Sequence, residues 1–249
     1  HANLKYIESF KVAKCNTNKI NLANVECIPC MSLAFNKQLT SLDATNLKEI
    51  EHLSIIKCNN LNTIDLKKLE CAISMKLLHV TNLTKLNVDA LTHVNWLVLK
   101  HVDSLNEFNP PKLERANTIR ICSNKSITSI DLNKLQSVKK VCICDNPNLT
   151  TLNLSSLRGL KSIEIKNNKS LTTLLLPKLE HAQKIVIESC EQLEKIKNDN
   201  LSCVSKLFYI DDCHKLSNIN LASVKWSKHM FIFGLDRLNG FSCNKQYKY

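Results

Sequence analysis

Cysteine is the residue type with the most evident chemistry here, at 12 of the 249 residues. An even and high count favours an oxidising compartment, so we expect a secreted, extracellular chain that carries disulfides. Cys27-Ile-Pro-Cys30 has the spacing of a redox motif, but no βαβ pattern surrounds it. No paired C-x-x-C zinc pattern is present either. The sequence therefore predicts no metal site and no cofactor.

Carboxylates and imidazoles recur at one fixed separation. Asp43 and Asp65 are 22 residues apart, and so are His79 and His101. Polysaccharide-cleaving enzymes need carboxylates clustered in a cleft. The next residue at this separation is Asn87, which has no carboxylate. No insertion interrupts the 22-residue spacing to form a cleft, so we expect no catalysis. The two histidines lack an evident third metal ligand and are predicted to be plain surface residues.

The net charge of +12 favours acidic partners, and a solvated surface would carry such a charge as well. Nucleic acid is disfavoured, because aromatic residues make up only 5% of the chain and no groove-entering helix is indicated. No long apolar run predicts a membrane span. Sequons suggest glycosylation, although an Asn-rich chain produces many by chance; the candidates are Asn82, Asn148, Asn153 and Asn200.

The 22-residue separation belongs to a repeat that runs through most of the chain. Apolar residues keep it in several columns, of which one holds Met31, Leu53, Met75, Leu97, Ile119, Val141, Ile163 and Ile185. Within a unit, apolar residues two apart mark short strands, and no helical periodicity is present. Because one unit cannot bury its own apolar side, successive units must stack as parallel coils about 4.8 Å apart.

We therefore predict an all-β solenoid, a right-handed parallel β-helix or leucine-rich-repeat-like coil, with about nine coils of 22 residues. The solenoid should cover residues 31–224, with an N-terminal cap at 1–30 and a C-terminal cap at 225–249, in one domain. A column of inward Asn at one corner, which includes Asn124, Asn146 and Asn168, predicts a ladder of side-chain amides between coils.

Stacking brings cysteines of neighbouring coils together. Cys122 and Cys144 share a column, at a separation that a disulfide tolerates. Cys190 and Cys213 share the Asn corner, where they form either a bridge or two buried thiols. Bridges within the caps are favoured over both pairs. The cap candidates are Cys15, Cys27 and Cys30 at the start and Cys243 at the end.

Outward residues of neighbouring strands predict a docking surface. Apolar and basic side chains alternate there, which suits a partner that is itself acidic or amphipathic. A cap or a second copy covering the apolar residues is the alternative. The predicted ligand-binding residues are Ile56, Lys76, Leu78, Val98, Lys100 and Arg120.

Three stretches carry a resemblance to a known family: VCICDNPNLTTLNLSSL, IEIKNNKSLTTLLLPKLE and LSIIKCNNLNTIDLKKL. They resemble leucine-rich repeats, and more closely the receptor L domain of insulin- and EGF-receptor ectodomains, here in a secreted stand-alone form. The resemblance covers residues 31–224. It implies a secreted or cell-surface solenoid that binds a ligand on a sheet face.

The sequence thus predicts a secreted, non-catalytic protein that binds an extracellular protein or peptide on its sheet face. The resemblance suggests a growth-factor- or insulin-like ligand. The alternative is a structural cell-surface or wall-associated glycoprotein that binds anionic glycans.

Overall fold

The computed structural model describes residues 4–237 and the backbone of residues 241–243. This part of the chain is all-β and contains no helix, so no helix there could cross a membrane. Strands are numbered along the chain. The largest sheet contains β1 (Ser9–Ala13), β3 (Cys30–Ala34), β5 (Glu49–Ile56), β7 (Cys71–Leu78), β9 (His93–Lys100), β11 (Arg115–Cys122), β13 (Lys140–Cys144), β15 (Gly159–Lys166), β17 (His181–Glu188), β19 (Cys203–Asp211), β21 (Trp226–Ser227) and β22 (Met230–Ile232).

The opposite side of the solenoid carries two shorter sheets, one after the other along the chain. The first contains β2 (Lys19–Asn21), β4 (Ser41–Asp43), β6 (Thr63–Asp65) and β8 (Lys85–Asn87). The second contains β10 (Glu107–Phe108), β12 (Ser129–Asp131), β14 (Thr151–Asn153), β16 (Thr173–Leu175), β18 (Lys195–Lys197), β20 (Asn218–Leu221) and β23 (Phe241–Cys243).

Strand β10, the first strand of the second short sheet, ends at Phe108, directly before Asn109-Pro110-Pro111. In regular coils the amide after the short strand donates to the next coil, as Leu66 N–H does to the Asn87 carbonyl at 2.9 Å. Pro110 occupies that position and has no N–H to donate. The Asn109 side chain instead accepts the Asp131 N–H at 2.9 Å.

The predicted period and parallel register are confirmed. Strand β9 pairs with β7 and β11 in parallel, and Leu97 lies between Met75 and Ile119. All three of these residues are buried. The inward columns form one continuous aliphatic core along the solenoid. Burial of these aliphatic columns stabilises the stack, at roughly 25 cal/mol per Å² of apolar surface.

The described coils number about ten, each of about 22 residues, which is one more than the sequence predicted. The extra turns come from the predicted caps. Ser9 pairs with Cys30 across β1 and β3, and β21 and β22 pair with β19. The sheets therefore continue through the described parts of both predicted caps.

Each coil leaves the large sheet through a left-handed corner. The residue there has a positive φ, and ten of these residues are not glycine: Lys14, Phe35, Lys57, His79, His101, Ser123, Asp145, Asn167, Ser189 and Asp212. Such a conformation costs on the order of 1 kcal/mol for a side chain with a Cβ. The buried groups that follow the corner must hold it in place.

The predicted asparagine ladder provides that support and is confirmed. Asn124 Nδ2 donates to Asn146 Oδ1 at 3.1 Å, and Asn146 Nδ2 donates to Asn168 Oδ1 at 3.2 Å. Asn146 Nδ2 also donates to the Ile121 carbonyl at 3.0 Å. All three side chains are buried, so the ladder satisfies polar groups that water cannot reach.

Candidate ligand-binding face

The six predicted ligand-binding residues lie on one surface of the large sheet, in two neighbouring columns. One column contains Ile56, Leu78 and Lys100, and the other contains Lys76, Val98 and Arg120. The three cations are exposed, whereas the three apolar side chains are half-buried. We call this surface the docking face; it comprises these six residues together with Ile73 and Trp96.

Trp96 is the functional candidate that the sequence analysis missed. It lies between Ser74 and Thr118 in register, two residues before Val98, and is 46% exposed. The alternation of inward and outward residues in a strand could have identified Trp96, because the residue before inward Leu97 must point outward. An exposed Trp beside cations is typical of the residues that dominate binding interfaces.

A regular bulge widens this surface. In β5, which carries Ile56, the amides of Glu51 and His52 both donate to the Pro29 carbonyl, at 3.0 and 2.9 Å. The pairing skips one residue per coil there, so two consecutive side chains point outward. Ile73 occupies a skipped position and is 38% exposed. The bulge thus adds Ile73 to the apolar part of the docking face.

Two cations of the docking face, Lys76 and Lys100, are available to a partner. Within the described part of the chain, Lys76 and Lys100 form no ion pair. Arg120 lies in register with Cys142. The face therefore presents positive charge around an apolar centre.

At the corner next to this face, the rings of His79 and His101 stack with their centroids 4.4 Å apart. Burial lowers the pKa of His79, and the charges of His101, Lys57 and Lys100 lower it further. Among the described residues no third metal-ligating side chain joins the pair. Two histidines that are 22 residues apart in the sequence are therefore neighbours in adjacent coils.

Further along the same sheet, opposite charges meet between coils. Lys184 Nζ lies 2.7 Å from Glu164 Oε1, and Lys166 Nζ lies 2.6 Å from Glu188 Oε2. The hydrogen bond from Lys184 holds the pKa of Glu164 below its ordinary value, and Glu188 raises that of Lys166. We call these four residues the ion-paired face.

Of the predicted disulfide candidates, one pair is bonded. Cys122 and Cys144 form a disulfide with their Cα atoms 4.7 Å apart. Cys15, Cys27, Cys30, Cys190 and Cys213 carry free thiols. The side chain of Cys243 lies outside the described residues.

The favoured cap bridge among Cys15, Cys27 and Cys30 is wrong. Cys27 pairs with Glu49 and Cys30 with His52, so they face positions three residues apart along one strand. Such positions are roughly 10 Å apart, beyond the reach of a disulfide. Cys15 lies at the corner, where its amide donates to Asn36 Oδ1 at 3.0 Å.

Cys190 and Cys213 follow the second alternative, two buried thiols. Each donates to a carbonyl of its own strand, Cys190 to Glu188 at 3.5 Å and Cys213 to Asp211 at 3.4 Å. They thereby occupy the corner that Asn holds in other coils. A hydrogen bond with Cys213 and burial together raise the pKa of Cys190, which keeps it a thiol.

The glycosylation candidates differ in exposure. Asn82, Asn148 and Asn200 are exposed, whereas Asn153 is half-buried and its Oδ1 accepts the Ser155 N–H at 3.0 Å. The exposed three remain candidates.

Asp43 and Asp65 lie side by side on the first short sheet and line a shallow groove of about 370 Å³. Each carboxylate closes a turn: Asp43 Oδ1 accepts the Thr45 N–H and Asp65 Oδ1 the Lys67 N–H, both at 3.1 Å. Asn153 does the same in its own coil. This column therefore has a structural role that does not need a carboxylate.

Comparison with known proteins assigns the chain to no family. No family model matches the chain, and no curated protein matches it. A leucine-rich repeat protein from Bacteroides ovatus, known from a crystal structure, is 12% identical; the alignment covers 89% of this chain and 83% of that one, with a TM-score of 0.25. At that score the likeness supports no functional assignment. The chain is a parallel β-solenoid similar to this bacterial leucine-rich-repeat protein.

Proposed function

We propose that this chain is a non-catalytic binding module that docks an acidic or amphipathic extracellular protein or peptide on its docking face. The observation that carries the proposal is Trp96, which is 46% exposed on the large sheet, with Lys76 and Arg120 two residues further along on the two neighbouring strands. An aromatic anchor surrounded by arginine and lysine favours a partner with apolar and acidic groups.

Three features support a binding role rather than catalysis. The paired carboxylates at Asp43 and Asp65 serve as turn caps. The groove beside them is shallow and lies on the opposite side of the coil from the docking face. All eight side chains of the docking face are apolar or cationic. None of its residues is a general base or a nucleophile with a partner.

The resemblance to receptor L domains suggests the finer form of the proposal. In this form the chain is a secreted, stand-alone L-domain-like module, and its ligand is a growth-factor- or insulin-like peptide. The disulfide between Cys122 and Cys144 supports an oxidising compartment.

A structural surface glycoprotein that binds anionic glycans is the second candidate function. The net charge of +12 and the exposed sequons at Asn82, Asn148 and Asn200 favour it. Such binding would depend on charge spread over the solenoid rather than on one aromatic side chain.

The two functions are separated by capture from extracellular fluid on immobilised wild type, Trp96→Ala and Lys184→Ala. The first function predicts a stoichiometric protein retained by wild type and Lys184→Ala and lost from Trp96→Ala. The second predicts glycan retained equally by all three and released at about 0.5 M salt. Equal retention of the same protein by Trp96→Ala and wild type would sink the proposed docking face.

A further inference from the structure

Three sulfurs meet on the large sheet at the edge of the docking face. Cys122 and Cys144 are register partners on β11 and β13, and Cys142 precedes Cys144 by two residues on the same side of β13. Cys142 Sγ lies 3.8 Å from Cys122 Sγ and 3.9 Å from Cys144 Sγ. We propose that, when the Cys122–Cys144 bond is reduced, these three sulfurs bind one thiophilic metal ion, Cu(I).

The distances fit a metal ion. Sulfurs bound to an ion at about 2.3 Å lie about 3.8 Å apart in tetrahedral geometry and about 4.0 Å apart in trigonal geometry. Two edges of the sulfur triangle already have these lengths. The third edge is closed by the disulfide, and the Cα atoms at its ends are 4.7 Å apart. Rotation of the two side chains opens that edge without moving the strands.

The ligand set selects the ion. Among the described residues this is the one group of three or more metal-ligating side chains, and it contains only sulfur. Thiolates favour Cu(I) and Zn²⁺ over harder cations. Structural zinc sites have four protein ligands, whereas this group offers three. Three sulfurs therefore suit an ion that accepts three-coordination.

Neighbouring charges complement the bound form. Three thiolates around a monovalent ion carry two net negative charges. Lys100 pairs in register with Cys122, and Arg120 with Cys142. Glu164, on the other side of Cys142, is neutralised by Lys184 at 2.7 Å.

The site is both protected and reachable. Cys122 is buried at 4% exposure, whereas Cys142 and Cys144 are half-buried on the outward face. An ion can therefore enter from the sheet surface and lose its water as it binds.

Opening the site is a balanced two-electron reduction. A dithiol gives two electrons and two protons to the Cys122–Cys144 bond, leaves two thiols on the chain and becomes a cyclic disulfide. Binding then replaces each departing thiol proton with a sulfur–copper bond, and the protons go to solvent.

The test uses the full chain, reduced with a dithiol without oxygen, and Cu(I) held by a competing chelator. The variants are Cys142→Ser and Cys144→Ser, with Cys71→Ser as the matched control on β7. Native mass spectrometry counts ions, X-ray absorption counts sulfur neighbours, and near-ultraviolet circular dichroism checks folding.

Reduced wild type and Cys71→Ser should bind one Cu(I) with three sulfurs. Cys142→Ser and Cys144→Ser should bind at least about 100-fold more weakly, since even an outer-shell partner accounts for 10–100-fold. The oxidised wild type should not bind at this level. The site is refuted if Cys142→Ser or the oxidised chain binds as tightly as reduced wild type, or if copper has two sulfur neighbours in reduced wild type.

Discussion

The docking face and the ion-paired face are built on the same parallel sheet, and their outward side chains differ. On the docking face Trp96 is exposed, and Lys76 and Lys100 form no ion pair with a described residue. On the ion-paired face the two lysines each meet a glutamate within 2.7 Å. One region leaves its charge and apolar surface open, and the other satisfies its charge internally.

The difference shows that the coil itself does not specify function. The coils share the same inward columns and the same left-handed corner, so outward residues are free to vary without cost to the core. A region that pairs its own charges gains little from a partner, because a new contact must first break the old one. A region with open charge beside an aromatic side chain can gain from one.

Comparing the two faces assumes that the same folded solenoid supports both of them. A substitution in the asparagine ladder tests this assumption and should have the largest effect on stability. Asn146→Ala removes the side-chain oxygen that accepts from the buried Asn124 backbone N–H and from Asn124 Nδ2, and it removes the donor to the Ile121 carbonyl. We expect a loss of about 3 kcal/mol of unfolding free energy. Denaturant titration measures it, with exposed Asn148→Ala as the control, which should lose less than about 1 kcal/mol. Equal stability of the two variants would contradict a shared frame.

Trp96→Ala should weaken ligand binding at least about 30-fold, because it removes the aromatic anchor of the docking face. The unfolding free energy of this variant should stay within about 1 kcal/mol of wild type, since nearly half of the Trp96 side chain is exposed to solvent. Titration calorimetry against the captured ligand measures both Kd values. Lys184→Ala on the ion-paired face is the control and should bind as wild type does; a loss of equal size there would erase the distinction between the faces.

Lys76→Ser combined with Lys100→Ser should slow association about 5- to 10-fold and flatten its salt dependence, with little change in dissociation. Rim cations act mainly by steering an acidic partner. Stopped-flow association at low and high salt measures this effect. The matched double variant, Lys166→Ser with Lys184→Ser, should leave the association rate unchanged. If it slows association equally, net charge rather than the docking face guides the partner.

The elements that follow from periodicity could be predicted from the sequence. The columns through Leu97 and the ladder through Asn146 depend only on a constant separation, so parallel stacking and the Cys122–Cys144 pair follow from it. The docking face was found in part, because the two columns that contain Leu78 and Val98 follow from strand alternation.

The features that were missed depend on geometry that residue types do not reveal. Left-handed corners are occupied by Phe35, Lys57 and His79, which share no preference for that conformation. The bulge that exposes Ile73 arises from the shape of the coil rather than from a glycine. The failed cap bridge at Cys27 and Cys30 has the same origin, because the caps proved to be further strands.

The smallest expected effect concerns the ion pair between Glu164 and Lys184 on the ion-paired face. Glu164→Gln removes the pair with Lys184, whose side chains are 34% and 39% exposed, and should cost less than about 1 kcal/mol at neutral pH because solvent screens such pairs. The folded-state pKa of Glu164 lies below its ordinary value of 4.5, so the pair stabilises the fold above that value. Its contribution is lost as pH falls through the lowered pKa. Unfolding free energies of wild type and Glu164→Gln, measured from about pH 7 to about pH 3, should therefore converge at the acid end. A gap that persists in acid would mean that packing, and not charge, distinguishes the ion-paired face.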